Sequence, residues 1–208
     1  MELSGTEAYT LEITGSIVDA PRVPGGLELI RRDGAVEASV LFFAMRGLGM
    51  TEPVSIGPRF DYGEALFRIG VVFDGRPAWL AVACDLDRSV VRSLGGVLVR
   101  YPVRAARIEV SAARASSRCG AGEIDVGIGA RGESPAPVPP RPLLVPDEGR
   151  LYRIPWREDP APVRHVVDVD VRLDSLSRET FGAAATYDAK GLAHEGRVHR
   201  CGIATRVG

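Results

Sequence analysis

A single lysine, Lys190, stands among the 26 basic residues of this 208-residue chain. A mechanism built on a neutral amine has therefore one side-chain candidate, because an arginine guanidinium stays protonated. His194, His199 and Cys201 lie close together near the end of the sequence, and imidazole and thiolate are zinc-type donors. On a strand His199 and Cys201 share a face. His194 precedes a turn at Gly196 and no fourth ligand lies nearby, so packed or exposed strand residues are the simpler reading and no metal is expected. Gly127-Ile128-Gly129-Ala130-Arg131-Gly132 matches the dinucleotide fingerprint G-x-G-x-x-G. That fingerprint needs a helix to follow, so that its N-terminus meets the pyrophosphate. Ser134-Pro135-Ala136-Pro137 follows instead, and no cofactor is expected. Cys84 ends an apolar run and reads as a small core residue. No cysteine stands at a recognisable helix start, where the dipole would activate it, and no Gly-x-Ser-x-Gly nucleophile elbow is present.

The elements that must position these groups are mainly strands. Residues 9–14 alternate, with Leu11 and Ile13 on one face and Glu12 and Thr14 on the other. Residues 107–111 and 167–173 alternate in the same way; in the latter Val167, Val169, Val171 and Leu173 oppose Asp168, Asp170 and Arg172. The runs 27–30, 40–45, 66–73 and 78–84 are denser in apolar residues, as in strands buried on both faces or lining a closed barrel. Asp74-Gly75-Arg76-Pro77 predicts a hairpin between the last two, and Arg32-Asp33-Gly34 and Pro24-Gly25-Gly26 predict earlier turns. One helix is expected after Asp85 or Asp87 as N-cap, with Val90, Val91 and Leu94 on one face and Gly95-Gly96 as its stop. A second helical turn is expected over 176–181. Residues 134–146 hold six prolines and read as an extended surface connection within a single domain spanning 1–208.

Composition narrows the class. Hydrophobic residues at 45% and charged residues at 25% are ordinary for a globular chain. A net charge of −1 argues against a nucleic-acid or membrane-surface partner, since both usually need a basic excess. The N-terminus is acidic and alternating, unlike a signal peptide, and three scattered cysteines make no disulfide framework. The expectation is a soluble, reduced, cytoplasmic protein.

Residues 62–110 carry the most information. They hold a Tyr-x-Glu strand (Tyr62, Glu64), a Gly75-Arg76-Pro77 hairpin, and a strand ending in Asp85-Leu86-Asp87. A short helix and the turn Tyr101-Pro102-Val103-Arg104 follow, leading into another strand. In order and spacing this segment resembles the acetoacetate decarboxylase-like superfamily; Pro155-Trp156 agrees in general character. The resemblance implies an α+β, mostly antiparallel fold: a cone-shaped β-barrel with one or two short helices and an internal cavity. It also implies a Schiff-base lysine in the aromatic-Pro turn, made nucleophilic by a second lysine. Here Val103 falls on the nucleophile and Arg104 on its neighbour, so Schiff-base decarboxylation is not expected.

The resemblance further implies that Glu64 faces the cavity, with Arg104 as its partner. Arg68 shares the face of Glu64 by parity, and Tyr62, Arg100 and Tyr101 are further polar candidates. The leading expectation is a small-molecule-binding protein with an internal barrel pocket for a carboxylate or carbonyl compound, fixed by arginine. The alternatives are a lyase or hydrolase with Glu64 as general acid/base beside Arg104, and a non-catalytic interaction module. The expected partners are a small-molecule ligand and a second copy of the chain, in a homodimer.

Overall fold

Among the described residues, alternation and turn chemistry together build sixteen strands. The computed structural model describes residues 2–19, 23–52, 57–133, 140–158, 165–173 and 175–207. In chain order these form β1 (Glu2–Ile17), β2 (Glu28–Leu29), β3 (Arg31–Arg32), β4 (Ala35–Glu52), β5 (Phe60–Phe73) and β6 (Arg76–Leu86). Helix α1 (Ser89–Leu94) follows, then β7 (Val103–Val110), β8 (Arg114–Cys119), β9 (Gly122–Arg131), β10 (Leu143–Asp147), β11 (Arg150–Ile154) and β12 (Trp156–Glu158). The chain ends with β13 (His165–Leu173), α2 (Leu176–Phe181), β14 (Ala185–His194), β15 (Arg197–Gly202) and β16 (Thr205–Val207).

Nine strands close on themselves in the order β5-β6-β7-β8-β9-β13-β14-β1-β4 and back to β5. The pairing is antiparallel except β6 with β7, and β10 with β6 outside the ring. Closure removes the unpaired edges that an open sheet would expose. The β5–β6 turn has positive φ at both Asp74 (50°) and Gly75 (70°), and Asp33 (52°) with Gly34 (84°) closes β3 onto β4 likewise. Two successive positive φ values give the hairpin twist that matches right-handed strands.

The dense apolar runs 40–45, 66–73 and 78–84 are buried on both faces because two cores share one wall, whereas 27–30 lies at its margin, with Leu27 buried and Glu28 exposed. All nine ring strands contribute to the first core: Leu11, Val40, Phe67 and Leu80 meet Ile108, Ala115, Ile124, Val167 and Ala193. Phe181 of α2 plugs it, its ring edge-on to Phe67 at 6.2 Å. The ring is thus filled by side chains. Leu41, Phe43, Leu66 and Cys84, one residue out of phase, build the second core on the outer face of β4, β5 and β6. There β10, β11, β12, β15 and α1 form a covering layer. The space expected inside the barrel lies instead between this wall and its cover.

Three local expectations need correction. Neither Asp85 nor Asp87 caps α1: Arg88 is the N-cap and no side-chain cap bond forms. Asp85 belongs to β6 and is committed to buried partners, while Asp87 Oδ1 accepts the Gly63 amide. Gly95-Gly96 does not stop the helix. Gly95 is helical (φ −60°) and hands the chain to a π-helical turn over Gly95–Val99, which ends at left-handed Arg100 (φ 61°). Nor is 134–146 all connection. Residues 134–139 lie outside the described ones, but Leu143–Asp147 is β10, with Leu143, Leu144 and Val145 buried. Its proline, Pro146, comes after the two-residue contact with β6 has ended, where a lost donor matters least. No helix among the described residues is long and apolar enough to cross a membrane.

Candidate functional site

Among the described residues a large and a small cavity lie between wall and cover, and Trp156 of β12 lines both. The larger has a volume of about 490 Å3, within the range of small-molecule sites. Its floor is the polar face of β1, Glu12 and Thr14, which alternation turns away from the ring interior. Arg68 reaches across from β5, giving Nη2 to Glu12 Oε1 at 2.6 Å and to Ser39 Oγ at 2.8 Å. Arg141 binds Glu37 at 2.5 Å, and Arg32 binds the same carboxylate at 3.0 Å. Both Arg68 and Arg141 lie over the Trp79 indole, at 4.7 and 4.6 Å from its centroid, a cation–π arrangement. Among the described lining residues five cations, Arg32, Arg68, Arg141, Lys190 and Arg197, face two carboxylates, Glu12 and Glu37. Leu41, Leu143 and Leu192 supply apolar walls.

The smaller cavity, about 40 Å3, holds roughly three water-sized positions. Glu64, Tyr62, Tyr101, Phe43, His199 and Cys201 line it. Glu64 is 3% exposed and accepts the Cys84 thiol at 3.3 Å. Burial pushes its carboxyl up to about 8; the Cys84 and Tyr62 hydrogen bonds oppose this only in part, and nearby Glu7 adds to it. Burial likewise raises Cys84, Tyr62 and Tyr101 well above their ordinary values. At neutral pH the pocket therefore holds a protonated carboxyl among neutral donors.

Between the cavities stands a fully buried carboxylate. Glu7 Oε2 accepts from Arg197 Nη2 at 2.7 Å and Thr10 Oγ1 at 2.7 Å, and Glu7 Oε1 meets His199 Nδ1 at 2.9 Å. Burial alone would raise this carboxyl, but the His199 bond, the Arg197 charge and the Thr10 hydroxyl outweigh it and hold it at about 2. Arg197 faces the large cavity and His199 the small one, so one carboxylate braces both walls. The His199 ring stands edge-on to Trp156, with centroids 4.0 Å apart.

The sequence-derived candidates divide accordingly. Glu64, Tyr62 and Tyr101 come together at the small cavity, and Arg68, on the Glu64 face as parity requires, reaches the large one. Arg104 does not meet Glu64. Residues 64 and 85 lie on opposite faces of the wall, and Arg104 sits on the ring-interior side. It gives Nε to Asp85 at 2.6 Å and Nη1 to Thr180 at 2.9 Å, over the Phe67 ring. Arg100 is at the surface, 3.4 Å from Asp147, in neither cavity. Val103 packs in the second core close to Gly95. His194 lines the large cavity and His199 the small one, and the described residues contain no metal-binding cluster. Gly127–Arg131 lies within β9, paired with β8 and β13.

Sequence reasoning did not single out Glu7, Glu12, Glu37, Trp79 as a cation platform, Arg141 or Arg197.

No family model and no curated protein matches the sequence. Solved structures do. The enduracididine biosynthesis enzyme MppR complexed with pyruvate superposes with a TM-score of 0.71 at 16% identity, covering 100% of this chain and 90% of that one. Acetoacetate decarboxylase from Legionella pneumophila gives 0.68 at 14% identity, covering 99% and 87%. An acetoacetate decarboxylase-like enzyme from Sphingomonas wittichii gives 0.60 at 18%, covering 99% and 92%. At these identities the likeness is one of architecture, and it extends along the whole chain rather than only the segment 62–110. The ring of nine strands with its covering layer is therefore the acetoacetate decarboxylase-like fold.

Proposed function

We propose that the protein binds a small organic anion, a carboxylate, in the cavity of about 490 Å3. The observation that carries this reading is the charge of the lining: among the described residues five cations face two carboxylates, with Glu7 behind Arg197, beside the Trp79 indole and leucine walls. A cavity with surplus positive charge and low-dielectric walls concentrates anions, and arginine holds carboxylates with directional hydrogen bonds. The pyruvate named with MppR is a compound of the same class, bound by a protein of the same fold.

Thermal shift against keto acids, fatty acids, aromatic carboxylates and aldehydes tests the reading. A carboxylate at about 100 times its dissociation constant stabilises by ~2.7 kcal/mol, roughly 5–10 °C for a chain of this size. Aldehydes and amides of matching shape leave the transition unmoved on this reading. Equal shifts with acids and amides would remove it.

A second reading, an enzyme using Glu64 as acid or base, rests on a specific observation. Glu64 is a buried carboxyl raised to about 8, at the wall of a pocket adjoining the anion cavity.

A further inference from the structure

The small pocket contains more than one proton-transfer group. His199 Nδ1 is held by Glu7, which stays ionised and accepts the Nδ1 hydrogen. In the neutral ring this places the basic lone pair on Nε2, the nitrogen left to a ligand. Glu64, with Tyr62 and Cys84 bonded to its carboxyl, lines the same pocket. Phe43 packs against both: it is the register partner of Glu64, and its ring lies 6.2 Å from that of His199. A base oriented by a buried carboxylate and a carboxyl set among neutral donors thus share one small cavity. This is the arrangement that pulls a proton from one atom while delivering another to its neighbour.

The two cavities adjoin at Trp156, which lines both. Glu7 joins Arg197, on the wall of the large cavity, to His199, on the wall of the small one, through contacts of 2.7 and 2.9 Å. The acid–base pair therefore begins within a carboxylate's width of the cationic lining. The small pocket takes only a few heavy atoms, the size of the end of a ligand rather than of a whole one.

We propose that the small pocket is an acid–base site for an oxo acid, with His199 as base and Glu64 as acid in keto–enol interconversion. The proposal rests on the anion-binding reading above. The C–H bond α to the ketone breaks and its proton passes to His199 Nε2. The electron pair forms the C=C bond, and the carbonyl oxygen takes the Glu64 proton. Imidazolium and carboxylate remain, and the reverse transfer restores the ketone and both side chains. No oxidant, metal or amine nucleophile enters the balance.

The probe is 4-oxopentanoate in D2O, with loss of its C3 and C5 proton signals followed by NMR and binding followed by thermal shift. The wild-type protein is expected to bind the probe and exchange these protons. Glu64→Gln and His199→Gln are each expected to slow exchange about a hundredfold or more, the usual contribution of a positioned acid or base, with binding retained. His199→Gln removes one of the three side chains that hold the buried Glu7 and is open to misfolding; Glu64→Gln replaces a neutral carboxyl by an isostere and decides the matter alone. Binding without exchange in wild type, or wild-type exchange in a folded Glu64→Gln, overturns the acid–base assignment and leaves anion binding intact. Absence of binding overturns both.

Discussion

Glu64→Gln separates the electrostatics of the small pocket from everything else in the fold. The Glu64 carboxyl titrates near 8 in the folded protein and at its ordinary 4.5 when unfolded. The folded state therefore keeps a proton that the unfolded state releases. The associated stability is fully present below 4.5 and is lost as pH rises through 8. Between pH 5 and pH 8 the loss amounts to about 3–4 kcal/mol, from roughly 1.4 kcal/mol per pH unit tapering near each end. Glutamine does not titrate and carries no such slope. Urea unfolding at several pH values across this window should show wild type losing that increment relative to Glu64→Gln, with near parity at pH 5. In thermal melts the difference corresponds to roughly 10 °C at pH 8. Tyr62, Tyr101, Cys84 and Cys201 do not mimic the effect, because all four are raised, and Glu7 does not, because it is held at about 2. Parallel pH profiles for the two proteins would refute the claim that Glu64 is buried without a compensating cation.

Other perturbations separate the remaining clusters. Arg197→Ala strips the fully buried Glu7 of its cation and should destabilise by about 3–5 kcal/mol in urea unfolding at neutral pH. It should also move the acid limb upward, since the stability tied to Glu7 is present above its unfolded value and is lost as pH falls through the folded one. Arg104→Ala leaves Asp85 buried with Ser117 and should cost a similar amount. Carboxylate affinity, measured by calorimetry on the folded fraction, should stay unchanged because Arg104 lies on the other face of the wall.

The strands were legible because alternation reports one buried face directly. Val167 and Val169 are buried while Asp168, Asp170 and Arg172 are exposed, as the pattern requires. The dense runs at 40–45 and 66–73 correctly signalled two buried faces, and the Asp-Gly turns correctly signalled hairpins. What alternation cannot report is the covering of a polar face by a distant segment. Glu12 looks solvent-facing in its own strand, and only the packing of Arg141 and Trp156 against that wall makes it a cavity floor. The Glu64–Arg104 pair failed for a related reason. The order of motifs places both residues near one turn, but strand parity and pairing put them on opposite sides of the sheet. The helix stop failed because glycine permits termination without compelling it, and Gly95 remains helical. The brace of Glu7, Arg197 and His199 spans nearly the whole chain, and no local pattern announces a contact of that range.

The central claim is that the large cavity selects negative charge. Isothermal titration of benzoate and benzamide, at equal and moderate salt, compares a carboxylate with its neutral counterpart of nearly the same shape. The prediction is that benzoate binds, benzamide does not, and Arg141→Ala weakens benzoate about tenfold or more while the protein stays folded. Equal affinity for the two compounds, or benzoate binding untouched by Arg141→Ala, would contradict it.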